Sequence, residues 1–163
     1  MKYHQVNVDI QKALLESNSW FETFEHEPVM TSEQAAKTRP GYLLQQGAKA
    51  IIVRVKKFKK DKVYVMLVLP ADLRFDNKKV KDIYRSKDVR FATEQEVFEI
   101  TDGVQIGAVP PFGNLFGLEV LVDPKLLKNE KIVFNAGDRR FSIAMKSEDY
   151  LKLVNPKIVE ITS

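Results

Sequence analysis

The residue in this sequence best placed to do chemistry is Lys49, which lies near the start of an apolar run at residues 48–53. A lysine at the inner end of a central strand is costly to bury unless an anion or an acidic partner meets it. Lys49 is therefore a candidate anion-binding group. The alternative is a lysine at the start of a strand, with its ammonium group extended into water.

A second candidate feature is the loop at residues 102–114, which is too apolar for an ordinary solvated connection. Pro110 and Pro111 each fix φ and remove an N–H donor. Gly107 and Gly113 permit positive φ values, or close backbone contacts that a Cβ would prevent. The loop could form the wall of a ligand pocket, and the residues alone fit a rigid turn over the core equally well.

Several common catalytic sites are excluded. The chain has no cysteine, so it has no disulfide, no thiolate nucleophile and no cysteine metal site. Its two histidines, His4 and His26, do not form a metal-binding spacing with carboxylates, and we expect no metal and no cofactor. Nucleophile-elbow, Walker and dinucleotide-binding motifs are also absent. An enzyme without these groups would have to catalyse a reaction that needs little acid–base or nucleophilic chemistry from side chains.

Length and composition indicate one globular domain over residues 1–163, because 163 residues with 44% hydrophobic content can bury one substantial core. The N-terminal residues lack an apolar signal region, and no run approaches membrane-spanning length. We expect a cytoplasmic protein that makes no membrane contact.

Positive charge is concentrated in the middle of the chain. Residues 49–90 contain 14 Lys and Arg against 5 Asp, whereas the remaining residues contain 12 basic against 17 acidic side chains. Clustering of this kind is typical of a protein that binds a polyanion. A solvated surface that lysine keeps soluble would show the same pattern.

The elements that position these residues follow from periodicity and capping. Thr31 with Gln34 and Thr93 with Glu96 have the spacing of capping boxes. Lys59-Lys60-Asp61 joins two β-rich runs and predicts a hairpin. Helices are predicted at 6–17, 32–38, 77–84, 93–101 and 147–154, with Ser147 as the last N-cap, and strands at 20–25, 48–58, 62–69, 89–92, 117–122, 131–134, 140–145 and 157–161; residues 135–138 are predicted to be a hairpin turn.

Four segments in this order resemble the YbaK/prolyl-tRNA-editing family, whose members are aminoacyl-tRNA deacylases. They are residues 25–36, the strand at 47–53, the Gly-x-x-x-Pro sequence from Gly107 to Pro111, and residues 134–143. The resemblance covers roughly residues 20–160. It implies an α/β (α+β) fold with a mixed, mostly antiparallel sheet surrounded by helices.

The resemblance also implies roles for individual residues. Lys49 would be the functional lysine, acting on the phosphate of the terminal nucleotide or on charge near the ester. The pocket residues would be His26, Thr31, Gly107, Ala108, Val109, Pro110, Pro111, Phe112, Gly113, Asn135 and Gly137. Two of them also fit roles that need no ligand, since Thr31 is first a helix cap and a histidine at a strand end is commonly satisfied by backbone.

The implied partner is the acceptor end of an aminoacyl-tRNA, held by Lys56, Lys57, Lys59, Lys60, Lys78 and Lys79, with a prolyl-tRNA synthetase as a second candidate partner and a monomer expected. Family members that remove alanine carry Asn after the functional lysine and His at position 135, where this chain has Ala50 and Asn135. Cysteine, serine or alanine on tRNA for proline are therefore all candidate substrates. A tRNA- or synthetase-binding module without catalysis and a general nucleotide-binding protein are the alternatives.

Overall fold

The computed structural model describes residues 2–28, 30–57 and 61–163, and these ranges contain five α-helices and eight strands. The helices are α1 (Gln5–Glu16), α2 (Ser32–Lys37), α3 (Asn77–Tyr84), α4 (Glu94–Ile100) and α5 (Ser147–Val154). The strands are β1 (Phe21–Glu25), β2 (Ala48–Lys57), β3 (Asp61–Pro70), β4 (Asp88–Phe91), β5 (Glu119–Val122), β6 (Lys131–Asp138), β7 (Phe141–Lys146) and β8 (Lys157–Ile158). The expected mixture of mostly antiparallel strands and surrounding helices is confirmed.

The strands divide between two sheets. One has the order β4-β2-β3-β5-β8, in which β2 is antiparallel to β3 and β4, while β5 is parallel to β3 and β8. The other has the antiparallel order β1-β7-β6. A single parallel bridge between Gly47 and Val133 connects the start of β2 to β6. The sequence predicts the strands but not this division, because pairing between distant segments depends on tertiary packing.

Burial on both faces of β3 explains why its sequence is a continuous apolar run. Met66 and Val68 pack into a core that both sheets share with α1 and α5. Val65, Leu67 and Leu69 point the other way, into a second cluster that includes Val80 of α3. Successive side chains of a strand point to opposite faces, so a strand covered on both sides needs apolar residues at every position.

Two local predictions are wrong. Residues 135–138 do not form the hairpin turn: they belong to β6, with an irregularity between Asn135 and Asp138, and Gly137 has φ +85°. The turn follows them, where Asp138 Oδ1 accepts hydrogen bonds from the backbone N and the Nε of Arg140. Ser147 is not the N-cap of α5 either, because its hydroxyl donates to Asn129 O at 2.5 Å and Lys146 occupies the cap position.

Several other predictions of local structure are confirmed, although the last strand, predicted at 157–161, spans only Lys157–Ile158, and the Gln34 side chain accepts from Met30 N and not from Thr31 N. Thr31 caps α2 by accepting from Gln34 N at 3.1 Å, and Thr93 and Glu96 form a capping box at the start of α4. The β2–β3 hairpin is present, and its predicted tip at Lys59 and Lys60 lies outside the described residues. Within the described ranges, no helix has the length and apolar character needed to cross a membrane.

Candidate functional site

A pocket of about 370 Å³ lies where the start of β2 meets β6, α2 and the loop at residues 104–112. β4 pairs with β2 only from Val53 to Lys56, and Ala92 N bonds Ile52 O at 2.9 Å. In the described part of the chain, no strand continues this pairing toward Ala48. This free edge of β2 opens the pocket, which explains why successive residues from Ala48 to Ile52 all line it.

Lys49 lies on this free edge and is half-buried. Burial lowers the pKa of its ammonium group, Arg74 lowers it further by repulsion, and Asp72 and Glu33 offset part of the change. No carboxylate among the described residues lies within 4.0 Å of its Nζ, so the lysine forms no ion pair with them. It therefore contributes a positive charge to the pocket that the described side chains do not pair.

The loop at residues 104–112 is fixed to β6 by hydrogen bonds. Asn135 Nδ2 donates to Gly107 O at 2.8 Å, and Gly137 N donates to Ala108 O at 2.9 Å. Arg139 donates from Nη2 to Ile106 O and closes the same side of the pocket. Gly107 has φ +88°, which agrees with the prediction that this glycine adopts a positive φ value or a close backbone contact. The loop thus forms one wall of the pocket, and hydrogen bonds from the β6–β7 hairpin fix its position.

Arg39 is a pocket residue that the sequence did not predict. It follows α2, is only 5% exposed, and donates from Nε to Ser142 Oγ and from Nη2 to Asn135 Oδ1, both at 3.0 Å. Burial lowers its pKa to about 10. Its sequence signal was weak, since a basic residue in Thr38-Arg39-Pro40 resembles an ordinary helix end.

Some of the predicted site residues line the pocket, and others lie outside its lining. Those that line the pocket are Thr31, Lys49, Gly107, Val109 and Asn135. Those outside the lining are His26, Ala108, Pro110, Pro111, Phe112, Gly113 and Gly137. Pocket residues without a sequence prediction include Arg39, Phe91 and Arg139.

Packing explains why several predicted residues do not reach the pocket. Phe112 is 2% exposed and packs on Phe134 and Tyr150. Burying an aromatic ring of this size in the core is more favourable than leaving it exposed on a solvated loop. A Cβ on Gly113 would lie 2.6 Å from Val120 Cγ2 and 3.2 Å from Met66 Sδ, so this glycine leaves room for the buried side chains of Val120 and Met66. Gly137 plays a similar part beneath Val6. His26 Nε2 bonds Ser142 Oγ at 2.8 Å, in the layer behind Asn135.

Of the basic residues predicted to contact tRNA, Lys56 and Lys57 lie at the end of β2 away from the pocket. Eight residues of extended strand place Lys57 about 26 Å from Lys49. Lys78 is exposed on α3, whereas Lys79 Nζ donates to Thr162 O at 2.6 Å. Lys59 and Lys60 lie outside the described residues.

The charged side chains that line the pocket are all cationic. Three cationic side chains line it, those of Arg39, Lys49 and Arg139, and none of its described lining residues is acidic. No group of three or more His, Asp or Glu suitable for a metal ion occurs within the ranges that the structure describes. The site therefore suits a ligand with anionic or hydrogen-bond-accepting groups, and its described residues offer no metal ligands.

Comparisons with known proteins identify a family and two relatives. The family described as "Aminoacyl-tRNA editing domain" matches residues 26–153. The chain is 34% identical over 140 residues to the "Multifunctional Ser/Thr-tRNA deacylase ProXp-y" of Escherichia coli (strain K12), covering 85% of this chain and 82% of that protein. It is 33% identical over 119 residues to "Uncharacterized protein YwhH" of Bacillus subtilis (strain 168), covering 73% and 71%.

The fold also matches a solved structure. The crystal structure of a proposed trans-editing enzyme for prolyl tRNA synthetase superposes with a TM-score of 0.82 and covers 99% of both chains. Sequence identity in this pair is 22%, so the comparison establishes the shared fold.

Proposed function

The chain belongs to the aminoacyl-tRNA editing domain family, and we propose that it hydrolyses the ester of a tRNA mischarged with a small residue such as Ser, Cys or Ala. The observation that carries this proposal is Lys49, a half-buried cation without a described carboxylate partner at the open edge of a pocket. Such a cation can bind the phosphate of the terminal nucleotide, or stabilise negative charge that develops near the ester.

The described lining residues include no carboxylate or histidine to act as a general base. An aminoacyl ester tolerates this, because it is already activated and the neighbouring ribose hydroxyl can assist. Water adds to the carbonyl carbon, the bond to the ribose oxygen breaks, and the products are the free amino acid and a tRNA with a free terminal hydroxyl. The protein contributes positioning and charge stabilisation.

Backbone donors of the loop are the groups best placed to stabilise the developing oxyanion. Gly107 and Val109 both line the pocket. Neither of their N–H groups has an acceptor in the described parts of the chain. Val109 is buried, and a buried N–H group without an acceptor is costly unless a ligand supplies one, whereas Gly107 is exposed and its N–H can bond water when no ligand is bound.

The size of the pocket and the relatives support a small aminoacyl group. A volume of about 370 Å³ must hold the acyl group together with part of the terminal nucleoside. The Escherichia coli relative is a Ser/Thr-tRNA deacylase by name. Position 50 is Ala and position 135 is Asn, which departs from the pattern that the family resemblance gives for alanine-removing members and weakens the case for alanine, with cysteine and serine both remaining candidates.

The rest of the tRNA would lie on the basic side of the molecule. We place the acceptor stem against Lys56, Lys57 and Lys78, with Lys59, Lys60 and Lys79 as further predicted contacts. Association with a prolyl-tRNA synthetase and the choice of tRNA for proline rest on the family resemblance and on the name of the solved structure.

The test is release of amino acid from one tRNA for proline charged in turn with serine, cysteine, alanine or proline. We expect rapid release of at least one small non-cognate residue and near-complete loss in Lys49→Ala, since that variant removes the unpaired charge. Lys152→Ala is the matched control, because Lys152 is exposed on α5 outside the pocket. Turnover that Lys49→Ala leaves unchanged would remove this lysine from the mechanism. Tight tRNA binding without release of any residue would instead favour a non-catalytic binding module.

A further inference from the structure

Arg39 is a buried cation whose donors are only partly used. The described contacts employ Nε and one N–H of Nη2, although a guanidinium carries five N–H groups. No described carboxylate forms an ion pair with it. A buried arginine without an acidic partner is unusual in a protein core. Since Arg39 lines the pocket, its remaining donors are available to a ligand there.

Gly47 helps to create the space in front of this guanidinium. A Cβ at position 47 would lie 3.8 Å from Arg39 Nη1, 3.0 Å from Ala71 Cβ and 3.1 Å from Leu44 O. Any larger residue would therefore crowd the end of the pocket where Nη1 lies. The wall around it is apolar, with Ala35, Leu44 and Val133 among its members. This end of the pocket accepts a small group and presents a donor to it.

An acceptor lies directly beside these donors. Asn135 Oδ1 accepts a hydrogen bond from Arg39 Nη2 at 3.0 Å. Ser142 Oγ lies 3.4 Å from the same oxygen, which is a longer contact. His26 Nδ1 lies 2.8 Å from Glu27 O, a carbonyl that can only accept, so the neutral ring carries its proton on Nδ1. Its Nε2 then accepts the Ser142 hydroxyl proton at 2.8 Å. One lone pair of Asn135 Oδ1 thus stays free to accept a proton from a ligand.

We propose that Arg39 and Asn135 together recognise the side-chain hydroxyl of a seryl or threonyl group on the bound tRNA. This rests on the proposed deacylase function and names its substrate class. The hydroxyl oxygen accepts a hydrogen bond from an N–H group of Arg39. The hydroxyl donates its own hydrogen bond to Asn135 Oδ1. A carboxylate could accept from Arg39 but would repel the amide oxygen, and a methyl group would leave the remaining donors of Arg39 and the free lone pair of Asn135 Oδ1 without a partner.

The decisive experiment needs only the wild-type protein. One tRNA for proline is charged with serine, alanine, threonine or valine, and the deacylation rates are compared. Serine and alanine differ by the hydroxyl, and threonine and valine have nearly the same shape. We expect release of the hydroxylated residue to be about 10- to 100-fold faster within each pair, from one hydrogen bond to a charged donor. Equal rates within both pairs would overturn the proposal.

Variants then assign the selectivity to Arg39. Arg39→Lys and Arg39→Met should reduce the serine-to-alanine ratio toward one, and Asn135→Ala should lower it as well. Arg54→Met is the matched control, since Arg54 is a partly buried arginine paired with Asp88 outside the pocket lining. Circular dichroism and urea unfolding show whether each variant folds. A folded Arg39→Met variant that keeps the wild-type ratio would contradict the assignment.

Binding separates this proposal from the deacylase function. Competition between tRNAs that carry seryl or alanyl groups through a stable amide reports recognition without turnover. Preference for the seryl form without hydrolysis of any ester would support the hydroxyl site and refute the deacylase. Hydrolysis without preference in either rate or binding would refute the hydroxyl site alone. Absence of both would refute the two together.

Discussion

Single residues decide the shape of this pocket, and Gly107 is the most constrained of them. Its φ of +88° is unfavourable for a residue with a Cβ. A Cβ here would also lie 3.2 Å from Arg139 Nη2, the group that donates to Ile106 O. A side chain at this position would therefore strain the backbone and displace the arginine that holds the loop.

Gly107→Ala should consequently reduce deacylation about tenfold or more and lower the free energy of unfolding by about 1–2 kcal/mol. Gly117→Ala is the matched control, because Gly117 has φ +70° but nothing within 4 Å of its Cβ position. Both variants are measured by urea unfolding and by amino acid release. Similar stability losses with a selective loss of activity in Gly107→Ala would assign the effect to the pocket. Equal activity in the two variants would contradict it.

At the scale of elements, local patterns predicted most helices and strands but few of their partners. The run at β3 and the capping threonines carry signals within a few residues of themselves, so their structures followed from the sequence. The bulge around Gly137 did not, because Asn, Gly and Asp suit a bulge and a turn alike. The choice depends on where β7 pairs.

The candidate site shows the same division. Lys49 and the loop around Gly107 were identified because their residue types are unusual for their predicted elements. Arg39 was not, since its significance arises only when Ser142 and Asn135, about 100 residues away, fold against it. Contacts of this range leave no periodic signal in one sequence.

The edge strand β4 supplies an exposed aromatic ring at the pocket mouth. Phe91 lines the pocket, is 61% exposed and meets Phe75 in an edge-to-face contact at 5.4 Å. Met30, Leu43 and Ile106 are also exposed at this rim. A nucleic-acid base could stack on such a ring, and each stacked base typically contributes about 1–3 kcal/mol.

Phe91→Ala should therefore weaken binding of a CCA-ended RNA minihelix by about 5- to 100-fold. The same variant should have little effect on a minihelix that lacks the terminal adenosine, because the stacking partner is then absent. Phe98→Ala serves as the control, since Phe98 is 53% exposed on α4 but lies outside the pocket lining. Fluorescence anisotropy gives both affinities. Equal losses on the two RNAs would count against stacking at Phe91.

At the scale of the whole molecule, basic residues lie at both ends of the long strand β2. The pocket carries three cations, and the hairpin end of β2 carries Lys56 and Lys57, about 23 and 26 Å from Lys49 along the strand. The segment from Lys49 to Arg90 has a net excess of basic residues, while the rest of the chain is net acidic. A ligand that contacts both ends must be a long polyanion, which a tRNA acceptor arm is and a free nucleotide is not.

This arrangement makes tRNA affinity depend on salt in a way that specific lysines control. Each phosphate contact that is lost should reduce the slope of log affinity against log salt by about 0.9 for a duplex. Neutralising Lys56 and Lys78 together should flatten the slope by up to about two such contacts and weaken binding of different tRNAs similarly. Lys12 and Lys152, exposed lysines outside the basic segment, provide the paired control with the same loss of charge. If both pairs change the slope equally, the tRNA responds only to net charge, and the acceptor stem does not lie along the hairpin.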